Sequence, residues 1–278
     1  MEDLDFTGAD RPSKSAIYDR SVARMCFEAV GKVERVPQGG NFFSENQTSD
    51  RMYYLVEGEV SLTRGKRVLD VVKAGEIFGE MATISRLPRS ATAAARSACR
   101  ALSLDTKQFQ GAIQKTAPEF ALMLMNIIIN RLRLTGALTV GKAPQDVGGL
   151  RERVFDAKML SALMAALNHR LPAHAPLNKV IMKEGEGGVF MYVVVEGRVA
   201  ISIKSRIVER VGPGGIFGEM ALVDQSPRAA TATAESDCSL LSINRNDFLA
   251  LVKSHPDFAV SLLKSAADRL RYMTSHHK

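Results

Sequence analysis

The sequence predicts an α+β fold of two tandem β-roll domains, jelly-roll-like barrels each flanked by N- and C-terminal helices. Three observations predict it. A duplication runs along the chain: Glu45 and Glu184, Gly58 and Gly197, Gly75 and Gly214, and Arg89 and Arg228 all stand 139 positions apart. Within each copy, short runs rich in β-branched and aromatic residues are punctuated by glycine, the mark of strands and tight turns. Helical periodicity frames those runs on both sides. A chain of 278 residues gives each copy enough length to bury its own core.

In chain order, residues 1–20 open on the acidic "MEDLDFTGAD", which has no apolar signal-peptide core and predicts a disordered tail. The domains are expected at 21–135 and 154–278, with 136–153 as linker. Each copy starts with a helical pattern, clearest in "FDAKMLSALMAALNHRL", whose apolar residues recur on one face. The strand-like runs "MYYLVEGEVSL" and "MYVVVEGRVAISI" then break at a Glu-Gly turn. Further strands lead into a Phe-Gly-Glu segment and resume as "CRALSL" and "CSLLSI". The copies close on "APEFALMLMNIIINRLRL" and "HPDFAVSLLKSAADRLRYM", where a single deletion shifts the offset to 138. Both begin with a proline near the first helical position and an acid in the first turn, as the helix dipole favours. "TGALTVGKAPQDVGG" has the glycine, proline and threonine content of a connector.

Bulk properties exclude several classes. Apolar content of 46% and charged content of 24% are those of a soluble globular protein. The net charge of +7 is scattered, as in "RERVFDAK" and "KSRIVER", and forms no basic stripe, which weighs against nucleic acid as a partner. The longest apolar run, "FALMLMNIII", is far short of the roughly 20 residues a bilayer requires, so no membrane partner is expected. Cys26, Cys99 and Cys238 form no metal or redox pattern. Cys99 and Cys238 occupy equivalent places in separate copies and read as small buried apolar residues. No metal site, no cofactor and no catalytic set is expected, and the chain reads as cytoplasmic and non-enzymatic.

The repeated segments "FGEMATISRLPRSAT" (Phe78 to Thr92) and "FGEMALVDQSPRAAT" (Phe217 to Thr231) carry the chemistry. A strand ends at Gly79, and "EMATI" suits a short helix starting there, whose unpaired N–H groups favour an anion. Gly79 lets the backbone approach that anion, and the small Ala82 keeps the next amide open. Glu80 would repel a phosphate, so it suits a neutral donor such as a sugar hydroxyl. Arg89, preceded by Pro88 and followed by small residues, suits the phosphate itself. An ion pair between Glu80 and Arg89 alone is the other reading of a single copy; repetition in the same register argues against it.

These segments resemble the phosphate-binding cassette of the cyclic nucleotide-binding domain family, the module of cAMP-dependent kinase regulatory subunits, cyclic-nucleotide-gated channels and the catabolite activator family. The family pattern is F-G-E, an apolar residue and A, then P-R, a small residue and A-T. Its upstream mark is similar to "YYLVEGEV" and "YVVVEGRV", and the likeness spans residues 22–135 and 154–275. The resemblance implies a first site of Phe78, Gly79, Glu80, Met81, Ala82, Arg89, Ser90 and Ala91. It implies a second of Phe217, Gly218, Glu219, Met220, Ala221, Arg228, Ala229 and Ala230. In it Glu80 and Glu219 take the ribose 2′-hydroxyl, and Arg89 and Arg228 take the cyclic phosphate. The backbones of Gly79, Ala82, Gly218 and Ala221 complete the phosphate nest. It implies cAMP at the second site, which reads R-A-A-T, and cAMP with weaker discrimination at the first, where Ser90 makes cGMP the alternative. A lid over the base is implied from the following helix, with Arg131 and Arg133 as candidates in the first copy and Arg269, Arg271 and Tyr272 in the second. The sequence departs from the pattern where "SENQTSD" in the first copy stands against the family-like "KEGEGG", at Thr83, and at Gly215.

No helix-turn-helix, kinase motif set or channel segment is recognisable beside the two copies. The expectation is a stand-alone tandem cyclic-nucleotide receptor, regulatory rather than catalytic, that signals by helix rearrangement to a separate effector protein. The alternative is a cyclic-nucleotide-dependent transcription regulator that binds nucleic acid without a recognisable helix-turn-helix.

Overall fold

The computed structural model describes residues 20–115, 118–139 and 153–275. The expected tail, apart from Arg20, and residues 140–152 of the expected linker lie outside the described residues. Two compact units divide between Ile127 and Ile128.

The first unit begins with α1 (Arg20–Val30), which buries Ala23, Cys26 and Phe27, a stripe at helical spacing. There follow β1 (Lys32–Val36), β2 (Asn41–Phe43), β3 (Met52–Glu57), β4 (Glu59–Arg64), β5 (Arg67–Lys73) and β6 (Ile77–Phe78). The short α2 (Glu80–Ser85) precedes β7 (Thr92–Ala95), β8 (Cys99–Leu104), α3 (Thr106–Lys115) and α4 (Pro118–Thr139), whose residues from Ile128 onward belong to the second unit. The strands form two four-stranded antiparallel sheets, ordered β1-β8-β3-β6 and β2-β7-β4-β5. Tyr53, Leu55, Phe78 and Ala101 from one sheet pack with Phe43, Val60, Val72, Ala93 and Ala95 from the other. This is a two-layer β-roll core, filled by the inward half of each alternating strand.

The second unit repeats it. α5 (Ala157–Ala166), β9 (Ala173–Ala175), β10 (Val180–Met182), β11 (Phe190–Glu196), β12 (Val199–Ile203) and β13 (Arg206–Val211) lead to β14 (Ile216–Phe217). Then come α6 (Glu219–Asp224), β15 (Thr231–Ala234), β16 (Cys238–Asn244), α7 (Arg245–Ser254) and α8 (Pro256–Ser275). The sheet orders β9-β16-β11-β14 and β10-β15-β12-β13 are those of the first unit strand for strand. The fold class is therefore the expected one: tandem α+β units, each a jelly-roll-like pair of sheets with helices before and after it.

The Glu-Gly turns have a steric cause. Register slips by a bulge between Leu55 and Glu57 and between Val194 and Glu196. The glycines that follow, Gly58 and Gly197, take φ of +95° and +88°. A Cβ there would meet the Ala98 carbonyl oxygen at 2.6 Å and the Asp237 carbonyl oxygen at 2.3 Å. No other residue satisfies both constraints.

Two helix boundaries differ from the periodic pattern. Asp156 caps α5 by accepting from the Met159 amide at 2.8 Å, but the helix stops at Ala166. Asn168 and His169 take left-handed φ of +54° and +53°, which ends the helix although apolar spacing continues to Leu171. α4 runs to Thr139, four residues into the segment read as linker.

All three cysteines are buried and free. Cys99 and Cys238 donate weakly to the carbonyls of Glu59 and Arg198, each at 3.3 Å, so they are indeed equivalent packing residues. Burial, with Glu119 adding to it, pushes the Cys26 thiol up to about 11. Little Cys26 thiolate is therefore present at pH 8, and access is closed at all three positions. An aromatic disulfide reagent at pH 8 is expected to label none of them in the folded protein and all three in denaturant. Rapid native labelling would contradict this packing.

Candidate ligand-binding site

Each Phe-Gly-Glu segment makes the same transition. Phe78 ends β6 in the core, its ring stacked on Tyr53 at 5.1 Å; Phe217 ends β14 on Tyr192 at the same distance. Both phenylalanines anchor the segment by packing. Gly79 and Gly218 then turn the chain with φ of +73° and +79°, and α2 and α6 start at the following glutamate. The turn is closed to any side chain, since a Cβ at either glycine would approach the arginine Nη1 within 2.8 Å and 2.7 Å.

The charged pair of each segment is inside the protein. Glu80 and Arg89 are each 2% exposed, and Glu219 and Arg228 are 7% and 6% exposed. A ladder of backbone bonds brings the arginines inward. Arg89 N–H donates to Gln47 O at 3.0 Å and Arg89 O accepts from the Asn46 amide at 2.9 Å. Arg228 makes the same bonds to Glu186 O at 2.8 Å and the Gly185 amide at 2.9 Å.

The guanidinium ends are held by neutral oxygens. Arg89 donates from Nη1 to Gly79 O at 2.7 Å, and from Nη2 to Arg51 O at 2.5 Å and Ser49 Oγ at 2.6 Å. Arg228 donates from Nη1 to Gly218 O at 2.8 Å and from Nη2 to Phe190 O at 2.7 Å. In both, Nε is buried with no hydrogen-bond partner. Burial pushes both guanidiniums below their ordinary value, opposed by Tyr53 and Glu80 around Arg89 and by Tyr192 and Glu219 around Arg228. The Phe43 ring lies 3.9 Å from Arg89 Cζ and gives that cation a π-face; Met182 holds the matching position in the second copy. A buried cation with an unused donor is a costly arrangement unless an anion completes it.

The second segment opens on a cavity of about 340 Å³, a size suited to a small ligand. All eight residues of the second expected site line it, as do Glu184, Lys204 and Arg269. In the first segment Met81 and Ser90 are half-buried and Ala82 and Ala91 buried.

The lid candidates fall in different places. Arg269 lines the cavity, but its Nη1 donates to Glu219 Oε1 at 2.6 Å, with Glu209 Oε2 3.7 Å from Nη2. It grips the carboxylate from the side of the cavity. Glu219 and Arg228 are thus each held by something other than the other. Arg133, expected at the first site, belongs to the second unit and lines the second cavity. It pairs with Asp224 and donates from Nη1 to Pro227 O at 3.0 Å. Arg131 and Arg271 are half-buried and do not line that cavity, and the side chain of Tyr272 lies outside the described residues.

Residues beyond the expected set also shape the sites. Glu184 accepts from the Lys204 amide at 2.7 Å, as Glu45 does from Gly65 at 3.1 Å, tying the neighbouring hairpin to the segment. The constant 139-residue offset of Glu45 and Glu184 was the signal for these. Nothing in the sequence pointed to Ser49 on Arg89 or to Arg133 on Asp224. Among the described residues no cluster of His, Cys, Asp or Glu could hold a metal, and no helix is long and apolar enough to cross a membrane.

The cyclic nucleotide-binding domain model matches the chain twice, over residues 33–116 and 173–255. A cyclic nucleotide-gated potassium channel of Rhizobium etli is 39% identical over 109 residues, covering 39% of this chain and 30% of that protein. A cAMP-dependent protein kinase regulatory subunit of Debaryomyces hansenii is 26% identical over 250 residues, covering 89% of this chain and 50% of that protein. This chain therefore spans half or less of the length of either relative. The regulatory domain of Toxoplasma gondii PKA, solved with cAMP, aligns over 93% of this chain and 90% of its own at 21% identity and a TM-score of 0.32. With two matched copies, each built around a buried glutamate and a buried arginine, the chain belongs to the cyclic nucleotide-binding domain family.

Proposed function

We propose that this protein is a tandem cAMP receptor whose terminal helices pass ligand occupancy to a separate effector protein. One observation carries the reading most directly. Each unit buries a guanidinium whose Nε–H has no acceptor, beside a buried carboxylate nine residues earlier in the chain. The ligand those groups suit is anionic at one end and offers a neutral hydroxyl at the other. The phosphate of a 3′,5′-cyclic nucleotide would accept from Arg228, and its ribose 2′-hydroxyl would donate to Glu219. Glu80 and Arg89 would do the same in the first unit. The roles are those of holding and orienting, and no bond of the ligand is assigned to break.

The link to output starts at Glu219. Its carboxylate is the acceptor for Arg269 of α8, and it is also the proposed acceptor for the ribose. Occupancy therefore changes what Arg269 meets, and with it the contacts of α8. Ligand can shift that helix only by binding its two arrangements with different affinity.

Two outcomes are expected. Arg228→Leu removes the charge-assisted bonds to phosphate and should weaken cAMP binding at the second site by roughly 10²–10³-fold in titration calorimetry. Unchanged affinity at that site would overturn the assignment. Separately, a double-mutant cycle of Arg269→Met and Glu219→Gln in ligand-free protein should return about 1–3 kcal/mol of coupling in denaturant unfolding, because both side chains are largely buried. Additive effects would show that the pair does not hold α8.

A further inference from the structure

The loop that ladders onto each arginine differs at every position between the copies. Residues 46–50 read "NQTSD" in the first unit, and the equivalent residues 185–189 read "GEGGV". Within it, Ser49 stands where the second copy has Gly188. A Cβ at Gly188 would fall 2.2 Å from Arg228 Nε and 2.3 Å from Cζ, so that guanidinium occupies the space a side chain would take. In the first unit a side chain is there, and its Oγ sits 2.6 Å from Arg89 Nη2.

The difference falls on the part of the guanidinium that grips oxyanions. A guanidinium has five N–H hydrogens, and its side-on fork pairs Nε–H with one hydrogen of Nη2. In Arg228, Nη2 spends one hydrogen on Phe190 O and keeps the other, so the fork with the unpartnered Nε–H is complete. In Arg89, both Nη2 hydrogens are engaged, on Arg51 O and Ser49 Oγ. Only Nε–H is left on that face.

We propose that Ser49 sets ligand affinity at the first site by occupying the second arm of the Arg89 fork, and so makes that site the weaker of the two. The proposal rests on the cyclic-nucleotide reading above and extends it to a residue outside the matched cassette. Ser49 touches the guanidinium and not the ligand, so it is a positioning residue. The phosphate at the first site either meets a single arm or must displace a formed hydrogen bond, whereas at the second site the fork stands ready.

The test is calorimetric titration of the full chain with cAMP, each site read alone in a background carrying Arg228→Leu or Arg89→Leu. Ser49→Ala frees the Nη2 hydrogen with little change to the backbone, and Ser49→Gly gives the first loop the residue the second has at that position. Both are expected to tighten the first site by about tenfold, the worth of one added arm in a charge-assisted pair. Gly188→Ser is expected to weaken the second site by at least as much. A first site that titrates only after Ser49→Ala would support the proposal. Unchanged or weaker binding in Ser49→Ala would overturn it, the latter because the hydroxyl would then be donating to the phosphate. A first site silent with and without Ser49, beside a second site that titrates, would overturn it too while leaving the receptor reading in place. Silence at both sites of the unaltered chain would remove the receptor reading, and this proposal with it. Thermal melting of each variant separates a loss of fold from a loss of affinity.

Discussion

Each unit buries an arginine that has more hydrogens to donate than its surroundings accept, and much of the local structure follows from that. The guanidinium must lie against the strand-to-helix turn, so residues 79 and 218 are glycines at positive φ, with no room for a Cβ. It must be held in orientation without being neutralised. Backbone carbonyls of the turn and of the strand entrance do this, because they accept hydrogen bonds yet carry no net charge. The core beneath is rich in aromatic and branched side chains, which lowers the local dielectric and sharpens the demand for an anion. Such a site is unfavourable when empty and gains correspondingly when filled, which is a reasonable physical basis for a receptor.

The carboxylates pose the opposite problem and are solved by tertiary contacts. Glu219 is buried beside a helix that supplies Arg269, and the same helix closes the second copy. Asp224, at the far end of the short helix that Glu219 begins, is held by Arg133. The short helix of the second segment is thereby gripped near both ends by arginines from longer helices. Its own six residues could not hold that position alone, since one and a half turns of helix are unstable without packing.

Legibility from sequence followed the range of the interactions. The duplication, the Glu-Gly turns, the short helix after Gly79 and the inward Pro-Arg could all be read, because each depends on residues close in the chain or repeated at constant offset. The ends of α4 and α5 were less legible: apolar spacing continues past Ala166, while the left-handed turn at Asn168 and His169 is set by local backbone geometry. The lid candidates were the least legible. Arg133 and Arg269 belong to helix endings that look alike in sequence, and which carboxylate each reaches depends on packing between elements 50 or more residues apart.

The strand-for-strand repetition of the sheets has one more consequence. Because bulge, turn, carbonyl acceptors and buried arginine coincide between the halves, the polypeptide contains its own matched comparison. The variables are reduced to a handful of substitutions, such as phenylalanine against methionine under the guanidinium or serine against glycine beside it. What evolution changed after doubling can be reversed one side chain at a time, with the untouched half of the same molecule as the reference.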